Sequence, residues 1–168
     1  SVVKPEDRAE FNSKIVYIID EGIAEKIGVN ATEIYNFYTG DGGLHGLNQS
    51  DYSNYHEYSN AKKEIENGQV LTPQWLARLL SESIDPAKDE LVADLTCGAG
   101  AFFNFMPTER NLYGCEIDTK AFKVAKYLYP EANITNGDIR TYKPNIRFDY
   151  VIGNPFSEIG RASCRERV

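Results

Sequence analysis

From Glu90 onward the chain alternates short apolar runs with segments of helical spacing, and no other feature constrains its fold as strongly. "ELVADL", "NLYGCEI", "ANITNGDI" and "RFDYVIGN" each read as a short strand, the third with its terminal loop. Gly-rich "TCGAG" and a helical start, "AFFNFM", separate the first two. "DTKAFKVAKYLY" separates the second and third and reads as a helix with Phe122, Ala125 and Tyr129 on one side. Strands joined through helices pair in parallel with right-handed crossovers. The expected class is α/β, a Rossmann-like parallel sheet. Such sheets bind ligands beyond their C-terminal strand ends.

The chain ahead of that pattern is different. Residues 1–66 are expected to form an N-terminal extension of helical segments and a Gly/Tyr-rich loop, 67–157 the core, and 158–168 a tail or truncated continuation. Residues 11–38 have helical spacing in places, with Ile23 and Ile27 four apart and Asp20 available as a cap. The β-branched run Ile15 to Ile19 weakens a continuous helix. "TGDGGLHGLNQSDYSNYHEY", Thr39 to Tyr58, reads as a loop or lid, and charged "AKKEIENG" follows it. In "QVLTPQWLARLLSES", Thr72 can cap a helix and Pro73 suits its first turn, where a missing N–H costs nothing. Leu76, Leu79, Leu80 and Ile84 form an apolar stripe, and Asp85-Pro86 closes the element.

A length of 168 residues with 42% apolar content allows one domain with a real hydrophobic core. No run reaches the length of a membrane span. The start, "SVVKPEDRAEF", has neither a basic patch followed by an apolar segment nor a cleavage site, so no secretion signal is expected. Cys97, Cys115 and Cys164 cannot all pair internally and lack a C-x-x-C spacing, which suits a reducing cytoplasm. His45 and His56 have no cysteine cluster near them, and no metal site is expected. A net charge of -7 argues against coating nucleic acid by bulk electrostatics. Residues 1–60 carry ten acids and four bases, however, and 61–168 fifteen and fourteen. The acidity therefore lies mostly outside the strand-and-helix region.

In "ADLTCGAGAFF", Asp94 and Thr96 stand just before Gly98 and Gly100, glycines that permit a tight turn and a close ligand approach. Free N–H groups at a following helix start can receive a carboxylate or a phosphate. No Gly-Lys-Ser/Thr follows, and Phe103 breaks a G-x-G-x-x-G pattern. A nucleoside cofactor without pyrophosphate fits better than a dinucleotide. Cys97 lines the turn as a small side chain. Glu116 closes the second strand, where an acid can accept both ribose hydroxyls. Asp138 ends the third strand region, placed to meet an adenine amine, and Ile117 and Ile139 could sandwich the ring. Taken singly, the glycines also read as a plain turn, the acids as helix caps or surface charges, and the isoleucines as core.

Taken in order, these segments resemble the S-adenosylmethionine-dependent methyltransferases that methylate amino groups, especially the N6-adenine DNA methylases of gamma type and type I modification subunits. "ADLTCGAGAFF" is similar to that family's cofactor turn, "YGCEID" to its ribose-binding strand end, and "NGDI" to its adenine-contacting segment. "VIGNPF" resembles its catalytic Asn/Asp-Pro-Pro-aromatic motif, and "GQVLTP" the segment ahead of the fold that helps hold the methionine part. The resemblance covers roughly residues 68–157. It implies Asp94, Thr96, Gly98 and Gly100 around the methionine, with Thr72 and Pro73 contributing. It implies Glu116 at the ribose and Asp138 at the adenine amine. It implies Asn154 and the Pro155 carbonyl receiving the target amine, with Phe156 stacked on a flipped base.

The implied activity is methyl transfer to adenine N6 in DNA, within a modification system or mobile element, in the cytoplasm and away from membranes. RNA adenine, a protein glutamine, or a non-catalytic cofactor-binding fragment are the alternatives. The family's motif has two prolines; this chain has Pro155 alone, which brings Phe156 one residue early. A complete sheet of this kind has seven strands, and "SEIGRASCRERV" after Phe156 cannot supply three more. A truncated chain is the expectation. DNA would then be held through a missing or separate target-recognition region, a specificity subunit or a downstream domain. Arg161, Arg165 and Arg167 read as a solvated tail.

Overall fold

The computed structural model describes residues 3–41, 47–65 and 71–154. Pro155, Phe156, His45, Cys164 and the tail arginines lie outside the described residues, as do 68–70 of the "GQVLTP" segment.

Four strands form one sheet: β1 (Val92–Asp94), β2 (Leu112–Glu116), β3 (Asn133–Asn136) and β4 (Tyr150–Ile152). Their order is β3-β2-β1-β4, and every pairing is parallel. The chain runs outward from β1 to β2 and β3, then returns to the opposite side of β1. Open α/β sheets bind ligands at such a reversal, here above the C-terminal ends of β1 and β4. The expected α/β parallel sheet is present.

Register assigns the two faces. Val92, Leu112 and Tyr150 align on one face, and Ala93, Tyr113 and Val151 on the other. Val92, Leu112 and Ile134 pack with Phe103 and Ala125 in a buried core on the first face. This core seats α5 (Thr119–Leu128), whose Ala121, Val124 and Ala125 recur at helical spacing and are all buried. Asp118 caps α5, accepting the Ala121 N–H at 2.8 Å. Phe122 and Tyr129 pack against the same core, as their spacing predicts.

The N-terminal region is helical. α1 (Arg8–Asp20) and α2 (Ala31–Thr39) pack on α5. The β-branched run does not break α1, because Ile15 and Val16 are buried there. Burying each is worth about 2 kcal/mol, which outweighs a few tenths of lost propensity. Asp20 is the last residue of α1 and caps nothing; it pairs with Lys123 of α5 at 2.6 Å. Asn30 and Glu33 form a capping box that starts α2.

Four sequence expectations change here. Helix α3 (Tyr55–Ile65) begins inside the segment read as a loop and takes in the following charged residues; His56 lies on it, within hydrogen-bond distance of Asn60. Helix α4 (Gln74–Ile84) has Pro73 at its cap position, so Thr72 lies outside it and is buried instead. Its expected apolar stripe packs only in part: Leu76 and Ile84 are half-buried, with Ile84 against the sheet core, while Leu79 and Leu80 are exposed. Ala77 and Ser81 are the buried residues. Small side chains let α4 approach closely, and the Ser81 hydroxyl reaches the Phe102 carbonyl at 3.5 Å. Finally, the segment after the Gly-rich turn makes only a 3-10 turn, Phe103–Phe105. Met106 is extended ahead of Pro107, as a residue before proline prefers, and the helix cannot continue. The β3-to-β4 connection, 137–149, likewise contains no helix.

Candidate cofactor and transfer site

Four loops converge where the strands end. Asp94 is the last residue of β1, and its side chain folds back so that Oδ1 accepts the Thr96 N–H at 3.0 Å. Gly98 and Gly100 both have positive φ, at 54° and 85°, conformations that an L side chain would strain. The turn is tied to β2 twice. Cys97 donates its N–H to the Cys115 carbonyl at 3.1 Å, and Gly98 donates its N–H to Glu116 Oε2 at 2.7 Å. The other carboxylate oxygen of Glu116 accepts the Asp118 N–H at 2.8 Å. Glu116 thus orders the turn and the start of α5 at once, and keeps lone pairs for hydroxyl donors.

The electrostatics select the kind of ligand. Asp94 is 1% exposed. Burial raises its pKa to about 7, against the Thr96 N–H, which lowers it, and with the Glu116 charge adding to the rise. Burial and the charges of Asp94 and Glu116 push the Cys97 thiol far up, so Cys97 is an inert lining group. Among the described residues neither Asp94 nor Glu116 forms an ion pair. The Gly98 N–H is already given to a carboxylate and is not open to a phosphate.

Asp138 follows β3 and is engaged by Arg140. The Arg140 N–H bonds Oδ1 at 2.8 Å, and its guanidinium spans both carboxylate oxygens. Those hydrogen bonds hold the Asp138 carboxyl near a pKa of about 2. Arg140 is largely exposed, so the pair is weakly held and can open for another donor. Ile117 is 69% exposed beside these acids, while Ile139 is half-buried. An isoleucine so open at a strand end is not core.

The remaining residues flank the turn. Leu71 reaches to 3.5 Å from a Cβ built on Gly98, which brings the Leu71, Thr72, Pro73 stretch against the turn. Asn154 lies two residues beyond Ile152, which is in register with Asp94, so the two strand ends stand side by side. Gly153, between them, has Asp94 directly against it. Leu71, Arg140 and Gly153 were not singled out from the sequence; a glycine wedged between a strand and Asn154 was the one legible hint.

Thr96 supplies a test of cofactor fit. Its hydroxyl is buried without a hydrogen-bond partner; it stands beside the Asp94 carboxyl, where it favours the anion, but in no bonding geometry. A buried hydroxyl left over beside an unpaired carboxyl fits the ammonium and carboxylate of an amino-acid moiety.

The N-6 DNA methylase model matches residues 52–159 of the chain, which holds every element just described from α3 to Asn154. The chain belongs to the N-6 DNA methylase family. No curated protein matched it. Among solved structures it is similar to a modification subunit of a candidate type I restriction enzyme from Vibrio vulnificus, at 18% identity and a TM-score of 0.42 over 67% of this chain and 30% of that one. It is similar to a type I restriction-modification methyltransferase subunit from Streptococcus thermophilus, at 13% identity and a TM-score of 0.44 over 86% and 43%. A TehB-like SAM-dependent methyltransferase from Corynebacterium glutamicum matches at 18% identity and a TM-score of 0.41 over 68% and 62%. The chain spans less than two thirds of each of these proteins.

Proposed function

We propose that the chain binds S-adenosylmethionine and transfers a methyl group to the N6 amine of adenine in DNA. Unpaired Asp94 and Glu116, closing a turn whose Gly98 N–H is already taken by carboxylate, carry the cofactor part. The family match over residues 52–159 supports the transfer. When bound, the cofactor supplies an electrophilic methyl group on a sulfonium.

The chain's own groups do the rest. Asp94 and Thr96 hold the amino-acid end, with Thr72 and Pro73 behind them. Glu116 accepts the ribose hydroxyls, and Asp138 exchanges Arg140 for the adenine amine. Ile117 and Ile139 cover the ring. Asn154 accepts hydrogen bonds from the target amine, whose lone pair is otherwise delocalised into the base, and turns that pair toward the methyl group. Alignment and fixed acceptors lower the barrier, without a covalent enzyme intermediate. The Pro155 carbonyl and the Phe156 ring complete this acceptor in the same reading. DNA would be held with the help of a specificity subunit or a further domain, and a cytoplasmic location goes with that partner.

Methyl-labelled cofactor, offered with DNA, RNA and protein in parallel, tests the substrate. Label in DNA adenine is expected. Label only in RNA or in a protein glutamine replaces the substrate, and cofactor binding with no label in any of them makes this chain a non-catalytic binding module.

A further inference from the structure

Gly153 stands between the cofactor turn and the Asn154 corner. A Cβ built on it would lie 2.9 Å from Asp94 Oδ1 and 3.4 Å from Thr96 Oγ1. The first distance is far inside van der Waals contact. The obstructing oxygen cannot easily give way, because it accepts the Thr96 N–H at 3.0 Å and its residue is 1% exposed. Gly153 is not among the glycines with positive φ. A positive φ is not what calls for glycine here; the space is.

We propose that Gly153 is a positioning residue: its missing side chain seats the end of β4 on the Asp94 carboxyl, and this contact sets where Asn154 stands relative to the cofactor turn. The inference rests on Asn154 being the acceptor of the target amine. Asp94 then has two tasks. It faces the cofactor on one side and serves as the floor for β4 on the other. A methyl group at 153 must push the strand end and Asn154 outward or turn Asp94 off the Thr96 N–H. Either displacement changes the surroundings of the same carboxyl.

Two measurements on the full chain test this. The first is urea unfolding of wild type, Gly153→Ala, Asp94→Ala and the double variant. Gly153→Ala should lower the midpoint clearly in the wild-type background and hardly at all once Asp94→Ala has made room. Equal shifts in both backgrounds overturn the proposal. Should Gly153→Ala alone not fold, recovery of folding in the double variant supports the contact and failure to recover overturns it. The second is S-adenosylmethionine titration across pH. In Gly153→Ala the midpoint of the affinity profile should move: upward where Asp94 loses the Thr96 N–H that favours its anion, downward where the displaced strand end lets water reach the carboxyl. An unmoved midpoint counts against the coupling. If wild type binds no S-adenosylmethionine, the cofactor reading fails, while the unfolding cycle still decides the role of Gly153.

Discussion

Gly98 gives its backbone N–H to Glu116 Oε2 at 2.7 Å, a bond that reaches from the turn after β1 to the last residue of β2. One carboxylate therefore sets the shape of the turn and occupies the N–H that a phosphate would need. This is how a Gly-rich turn without a following α-helix keeps its conformation. On the proposed reading, the site then takes a cationic nucleoside and not a dinucleotide.

Glu116→Gln is expected to destabilise the fold nearly as much as Glu116→Ala. Glu116 accepts N–H bonds through both oxygens, from Gly98 and from Asp118. A glutamine can serve one of them and turns its NH2 toward the other. Leaving a half-buried donor unmet costs roughly 1–3 kcal/mol, which chemical denaturation resolves.

The two turn glycines should respond differently to alanine. At Gly98 the added Cβ meets only Leu71, at 3.5 Å, so the expected cost is the left-handed backbone alone, about 1 kcal/mol. At Gly100 the φ of 85° is compounded by Tyr129 Cε2 at 2.7 Å. Tyr129 is itself set edge-on against Phe103, with ring centroids 5.7 Å apart. Gly100→Ala should cost roughly 2–4 kcal/mol by the same denaturation measurement.

Asp94 makes the free protein's stability fall as pH rises toward neutrality. Its folded pKa of about 7 lies above the usual 3.8. Between those values the folded state holds a proton that the unfolded chain has lost, so the contribution is full at the acid end and is lost as pH climbs through the folded value. The slope is at most about 1.4 kcal/mol per pH unit. Asp138, held low by Arg140, titrates below this window and does not mask it. Unfolding of wild type and Asp94→Asn from pH 4.5 to 7.5 should show the slope in wild type only.

Much of this was legible in the chain because strand ends are punctuated. "VADLTCGAG", "GCEID" and "NGDI" each close an apolar run with an acid or a glycine, and the parallel sheet brings those closures together. Pattern reading failed where packing decides. Leu79 and Leu80 look like a core stripe, but α4 needs its small residues, Ala77 and Ser81, to lie close to the Gly-rich segment. Ile15 and Val16 look strand-like, but burial against neighbouring helices makes them helical. A helix after the glycines was expected from "AFFNFM", yet Pro107 and the split burial of Phe102 and Phe103 into separate cores leave only a 3-10 turn. The contacts of Gly153 with Asp94 and of Arg140 with Asp138 depend on side-chain geometry, and spacing alone does not encode them.

Calorimetric titration of the folded chain with S-adenosylmethionine near pH 7, beside Asp94→Ala and Glu116→Ala, bears most directly on the cofactor crevice. Saturable binding at one site is expected, weakened about tenfold or more by either substitution, the loss of one charge-assisted hydrogen bond. A folded wild-type sample that gives no saturable heat, or variants that bind as tightly as wild type, would contradict it.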